Sequence, residues 1–330
     1  MNVAIIGGSI TEGAGASCYE NSYVYKLEQY LKEKYKELKM INLGAGGTAS
    51  DFALFRLERD LKGFKPDVIF VEFSVNDRIY SSQDSTIYFE GLIRECSKYT
   101  EKIIILEMPT GMSDACVSIH KRIAYFYKIP IIDVQDAVWR LIGNREITWS
   151  KISVDNLHPN DRGHQLYFDI IKSELEKIEL EKIDMKIDYR VSSRYKFINP
   201  TLIEHNDKSI EYYGNWKEES FKLNNKFDLG AISYNKGDGI IFRFKGKYLA
   251  MMNLFSKDSG RLLCTLDEEY SFYIDLFNES DGYFNTSINI KDLENKEHTL
   301  TMIIDNERNP KSSGNKVIIG GFLIDPGNKR

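Results

Sequence analysis

Short apolar runs dense in Val, Ile, Leu or Phe punctuate the first half of the chain at Val3–Ile6, Lys39–Leu43, Val68–Phe73, Ile103–Leu106 and Ile131–Val134. Runs that are nearly continuous rather than alternating are the pattern of parallel strands buried on both faces. Helical periods lie between them. Tyr23, Leu27, Tyr30 and Leu31 recur at i, i+4, i+7 and i+8, and Leu54, Leu57 and Leu61 mark a second helix. Further helices are predicted over about 85–99 and 113–128. A last one follows Pro159-Asn160-Asp161 and carries Leu166, Ile170, Ile171, Leu175 and Ile178 on one face. Strands alternating with helices predict βαβ units, hence an α/β fold with a parallel sheet covered on both sides.

Near residue 187 the period changes. In Tyr270–Leu276 the even positions are all apolar or aromatic; Leu300, Met302 and Ile304 share a face, and Phe242 and Phe244 alternate with Arg243 and Lys245. Turn signals such as Lys236-Gly237-Asp238-Gly239, Asp258-Ser259-Gly260 and Ser280-Asp281-Gly282 separate these stretches. The pattern predicts an antiparallel β-sandwich of roughly eight to ten strands. The expected domains are therefore 1–187 and 188–330, with no Pro/Gly-rich linker between them. A length of 330 residues agrees, at roughly 150 residues per domain.

Charge narrows the partners. The chain has 44 Lys and Arg against 49 Asp and Glu, a formal net charge of −5, and neither part is basic. That argues against nucleic acid and against an anionic membrane surface. No run approaches the ~18–20 apolar residues of a membrane span, and the N-terminus does not read as a signal peptide. Cys18, Cys96, Cys116 and Cys264 are widely spaced with no CxxC pair, so free thiols in a cytoplasmic protein are expected.

The candidate chemistry collects where strands end, the edge at which open α/β sheets bind ligands. The first strand runs into Gly7-Gly8-Ser9-Ile10-Thr11-Glu12, the second into Asn42-Leu43-Gly44-Ala45-Gly46-Gly47, and the third into Ser74-Val75-Asn76-Asp77; Asp155-Asn156-Leu157-His158-Pro159 precedes the last helix. A serine nucleophile needs an adjacent base, and histidine has the suitable pKa. The histidine needs a carboxylate to fix its tautomer. A tetrahedral intermediate needs donors, which backbone N–H groups at a glycine turn and an Asn amide supply.

These four blocks resemble the SGNH hydrolases, a branch of the GDSL esterase/lipase family, over roughly residues 1–180. Ser9, Gly44, Asn76 and the Asp155-x-x-His158 pair match its four motifs in order. The resemblance implies a flavodoxin-like three-layer α/β/α fold with a five-stranded parallel sheet and a Ser9–His158–Asp155 triad. It also implies an oxyanion hole made by the Ser9 and Gly44 N–H groups and the Asn76 side chain. Gly8 stands where the family usually has Asp, and Ser74 where it usually has Gly. Neither change removes a catalytic group.

Asp77 reads as a turn residue, and His164 as a satisfied or solvent-facing histidine within the last helix. Asp155, His158, Asp161 and His164 suggest a metal site only if they share a face, which Pro159 opposes. The first glycine turn lacks G-x-G-x-x-G spacing, so no dinucleotide is expected; no cofactor and no metal are predicted. The expected reaction is hydrolysis of a short-chain ester, an acetyl ester, on a sugar or glycoconjugate. The alternatives are an O-acetyltransferase using the same site and a carbohydrate-binding protein with vestigial catalysis. Met108–Met112, Trp149, Arg78 and Tyr80 are expected to border the pocket. The second part resembles galactose-binding-like jelly rolls in Glu297–Met302 and Val317–Phe322. That resemblance implies sugar binding through Tyr212, Tyr213 or Trp216, or alternatively a packing or oligomerisation role in which these aromatics are core.

Overall fold

Val3, Ala4, Ile5 and Ile6 are at most 1% exposed, which is why the opening run shows no alternation. In the computed structural model, which describes residues 1–112, 116–183, 185, 194–223, 226–279 and 282–327, this run forms β1 (Asn2–Gly7). It pairs in parallel with β2 (Lys39–Gly44) and β3 (Val68–Glu72), and the sheet continues through β4 (Ile103–Glu107) and β5 (Ile131–Asp133). The order β2-β1-β3-β4-β5 is the flavodoxin-like one. Helices α1 (Ser9–Glu12), α2 (Tyr23–Lys34), α3 (Ser50–Asp60), α4 (Ser82–Cys96), α5 (Val117–Tyr127), α6 (Val134–Gly143), α7 (Trp149–Ile152) and α8 (Asp161–Leu175) complete this part.

Val3, Ile5, Val68, Phe70, Ile104 and Leu106 share one core with Tyr23, Leu27, Val138, Tyr167 and Ile171, so α2, α6 and α8 cover that face. The alternate strand residues point to the opposite face, and α3, α4 and α5 pack in sequence with one another. The last helix begins at Asp161, after Asn160, whose side chain accepts from the Arg162 and Gly163 N–H groups. Helices α6 and α7 were not expected. Val134 reads as the end of a strand, yet Asp133 both closes β5 and caps α6 by accepting from the Asp136 N–H at 2.9 Å. With no loop between them, the sequence offers no break.

Two compact units divide the chain, Met1–Lys196 and Phe197–Arg330. The expected boundary at 187/188 lies outside the described residues, as do the start of the helix expected from 113 and Ser280-Asp281 of one expected turn. The second unit is antiparallel: β6 (Thr201–Glu204), β7 (Ile210–Tyr213), β8 (Lys217–Leu223), β9 (Phe227–Ser233), β10 (Gly239–Gly246), β11 (Leu249–Phe255), β12 (Arg261–Leu266), β13 (Tyr270–Asp275), β14 (Tyr283–Ile290), β15 (Lys296–Ile304) and β16 (Val317–Ile324). One sheet runs β13-β12-β15-β10-β7; the other runs β14-β11-β16-β9-β8, with β6 on β16. Phe242, Phe244, Leu300, Met302, Ile304, Val317 and Phe322 fill the core between them. The strands among the described residues exceed the expected eight to ten because β6 and β7, at four residues each, are too short to display an alternation.

Candidate active site

The chain leaves β1 at Gly7 and turns at once into α1, which opens with Ser9. Both glycines are required by space. A Cβ on Gly7 would collide with the Thr11 side chain, and one on Gly8 with the Asn76 amide. Gly8, a departure from the family pattern, is therefore the residue that lets Asn76 lie against the serine turn. Ser9 Oγ is 2.9 Å from His158 Nε2, and His158 Nδ1 is 2.8 Å from Asp155 Oδ2. A carboxylate at Nδ1 places the proton there and leaves Nε2 to accept from the serine hydroxyl.

Asp155 also orders its own loop. Its Oδ1 accepts from the Leu157 N–H at 2.6 Å and the His158 N–H at 2.7 Å, an Asx-type turn. Its carbonyl accepts from Trp149 Nε1 at 2.9 Å. Burial alone would raise the Asp155 pKa, but the hydrogen bonds from the His158 ring and from these N–H groups outweigh it and hold the carboxyl below its usual value. From the other side, Gly15 (φ +90°) brings the loop after α1 against Pro159 and the His158 Cβ, where a side chain would not fit. Ser17 ties that loop to α8 through its N–H and hydroxyl on Asp161, at 2.7 and 2.6 Å.

Gly44, expected as an oxyanion donor, gives its N–H to Asn42 Oδ1 at 2.8 Å, a side chain folded back over two residues. The glycine beside the serine is Gly46, on which a Cβ would lie 3.5 Å from Ser9 Cβ. Its N–H donates to Glu12 Oε2 at 2.8 Å. Gly47 follows with φ +69°. Asn76 Oδ1 is buried and has no hydrogen-bond partner among the described residues.

Residues 5–166 match the model of the GDSL-like lipase/acylhydrolase family. The first unit belongs to this family. The chain is accordingly a carboxylic ester hydrolase. Two crystal structures of a two-domain esterase active on acetylated mannans, one co-crystallized with mannopentaose, share the fold of both units. Their TM-scores are 0.87 and 0.86 at 23% identity, over 100% of this chain and 92% of theirs. No curated protein matches the sequence.

Around the GDSL-like motifs, the loop after β4 packs on the histidine loop. Gly111 N–H and Thr110 Oγ1 both donate to the Asn156 carbonyl, at 2.8 and 3.1 Å, and a Cβ on Gly111 would press on the Trp149 indole. Arg78 turns back onto the Val75 carbonyl, and Tyr80 packs beside Tyr88 at 5.2 Å between ring centroids. His164 is wholly buried in α8, and both ring nitrogens are engaged: Nδ1 accepts from the Tyr23 N–H and Nε2 donates to the Ala14 carbonyl, at 3.2 and 3.1 Å. Burial lowers its pKa to about 4, so it is the satisfied histidine of the two readings. Among the described residues no group of three or more His, Cys, Asp or Glu is arranged for a metal ion, and no helix is long and apolar enough to cross a membrane. Tyr212 and Trp216 pack against the sandwich core, while Tyr213 is 39% exposed.

Asp77, expected as a turn residue, stands in the turn after β3 and is wholly buried; like Glu12 and Glu72 it was given no role in the sequence. An acidic residue beside a motif is common in solvent-facing turns, so no local signal marks it.

Proposed function

We propose that this chain is a serine esterase removing short acyl groups, acetyl above all, from a sugar or glycoconjugate through an acyl-enzyme. The observation that carries the reading is the continuous hydrogen-bonded row Ser9–His158–Asp155. In the proposed reaction His158 Nε2 takes the Ser9 proton as Oγ attacks the ester carbonyl carbon. The negative charge formed on the carbonyl oxygen is met by the Ser9 N–H, by the Asn76 side-chain amide and by the glycine turn that follows β2, from Gly44 to Gly47. Ser9 suits this role because it opens α1, where no intrahelical carbonyl can take its N–H. His158 then passes its proton to the departing sugar oxygen. Water, activated by the same imidazole, releases the acid and restores the serine. Asp155, held anionic, stabilises the imidazolium in both halves. The sugar ester as substrate class is supported by the two-domain neighbours, whose described activity is on acetylated mannans.

The test compares wild type with Ser9→Ala on p-nitrophenyl acetate, butyrate and octanoate, and on an acetylated manno-oligosaccharide with released acetate measured directly. The expected result is acetate turnover that falls with chain length and drops on the order of 10⁴-fold or more in the variant. Equal slow rates in both proteins would sink the reading.

A further inference from the structure

Behind the candidate site lies a row of ionisable side chains that this reaction does not use. Asp77, Glu107 and His120 are all 0% exposed. Asp77 follows Asn76 in the turn after β3, Glu107 ends β4, and His120 stands in α5. His120 Nε2 is 3.1 Å from Asp77 Oδ2 and its Nδ1 is 3.3 Å from Glu107 Oε1. The imidazole lies flat on Phe89, with ring centroids 3.5 Å apart and planes 9° apart. Asp77 has a second attachment. Its Oδ1 accepts from the N–H of Ser50 at 2.9 Å, the residue that opens α3 just after the Gly46–Gly47 turn. Its carbonyl accepts from Ser85 Oγ at 2.9 Å.

One carboxylate thus joins the turn that carries Asn76 to the segment that follows Gly46, and His120 holds that carboxylate from behind. Burying two carboxylates and an imidazole carries a large desolvation penalty before pairing, and apolar side chains of similar volume often serve packing as well or better. What an apolar filling lacks is a directional hold on two loops whose donors must sit within a few tenths of an ångström of a reacting oxygen. We infer that the Asp77–His120–Glu107 row is a positioning device that fixes the Asn76 and Gly46 turns relative to Ser9. The inference rests on the esterase reading above. These are positioning residues, since none reaches the site itself.

The charge state of His120 gives the device a signature. Burial by itself would keep the ring neutral, but the Glu107 and Asp77 carboxylates override it and push its pKa up to about 9. Those two groups face its two nitrogens, and Glu72 lies beyond them beside β1. Above that pH the ring loses its proton and the two carboxylates lose the cation between them.

The experiment measures kcat and KM for p-nitrophenyl acetate from pH 6 to 10, corrected for spontaneous hydrolysis, with thermal melting of each protein. It uses wild type, His120→Gln, Asp77→Asn, Asp77→Ala and Glu107→Gln. In His120→Gln kcat is expected to fall about 10- to 100-fold with KM within about twofold, the split that misplaced transition-state donors produce. Wild-type kcat is expected to decline as pH rises through about 9, where His120 loses its proton, and this limb is expected to be absent from the variant. Asp77→Asn, which keeps an oxygen for the Ser50 N–H, retains more activity than Asp77→Ala. A folded His120→Gln protein with wild-type kcat and an unchanged alkaline limb overturns the inference. If His120→Gln does not fold, Glu107→Gln decides, because it leaves the Asp77 bonds in place. Its alkaline limb should move to lower pH, and an unmoved limb overturns the inference equally. Wild type without Ser9-dependent turnover would remove the esterase reading and this inference with it. Ser9-dependent turnover with unaffected variants would remove the inference alone.

Discussion

Gly8 shows how much one missing Cβ decides. Its backbone is in an ordinary extended conformation, φ −87° and ψ −151°, so any residue could adopt it; only the Asn76 amide against its α-carbon forbids a side chain. Gly8→Ala is therefore expected to fold, because the turn itself is unstrained, yet to push Asn76 away from Ser9. A displacement of about 1 Å at a transition-state donor costs on the order of 10²-fold in rate. The measurement is kcat for p-nitrophenyl acetate beside the melting temperature. Loss of stability without loss of kcat would mean that Asn76 is not a donor. Ser9, Asp155 and His158 were legible because each sits in a short motif whose chemistry is local. The partner of the Gly44 N–H, the Asn42 side chain folded back on it, is not revealed by spacing. Glu12 and Asp77 were illegible for a related reason: their partners, Gly46 and Ser50, belong to other elements.

At the scale of elements, the central strands β1, β3 and β4 read plainly because both faces are buried and the apolar runs are unbroken. The polar groups at their carboxyl ends are what the runs conceal. Glu72 closes β3 with 0% exposure and accepts from Thr11 Oγ1 at 2.8 Å and the Gly8 N–H at 3.4 Å, bracing the turn that presents Ser9. Burial, with the nearby Glu107 and Asp77 charges adding to it, raises its pKa to about 7 against the weaker opposing pull of those two hydrogen bonds. A carboxyl whose folded value is raised binds its proton more tightly in the native state. Its contribution to stability is full below the unfolded value near 4.5 and is lost as pH rises through about 7. Glu72→Gln, a neutral shape mimic that retains an acceptor oxygen, should match the wild-type melting temperature near pH 5 and exceed it at pH 8. A difference that stays constant between those two pH values would mean that Glu72 does not titrate in this window.

The two units each carry a core of their own, one built on Phe70 and Ile104 between sheet and helices, the other on Phe242 and Phe322 between two sheets. The change from helical period to alternation near residue 187 announced this division, because a sheet with one face on a core and a sheet buried on both faces leave different traces. Separate cores predict separable unfolding. Phe242 is 0% exposed and stacks on Phe322 with centroids 4.1 Å apart, and Phe70 is equally buried in β3. Truncating either ring to alanine should cost about 3–5 kcal/mol within its own unit. Calorimetry of the full chain should then resolve two transitions, with Phe242→Ala lowering one and Phe70→Ala the other. Esterase rate at 25 °C should survive the first substitution better than the second, since β3 ends beside Asn76 and Asp77. A single wild-type transition that both substitutions lower together would show that the chain unfolds as one cooperative body. The sandwich would then contribute to the stability of the catalytic unit.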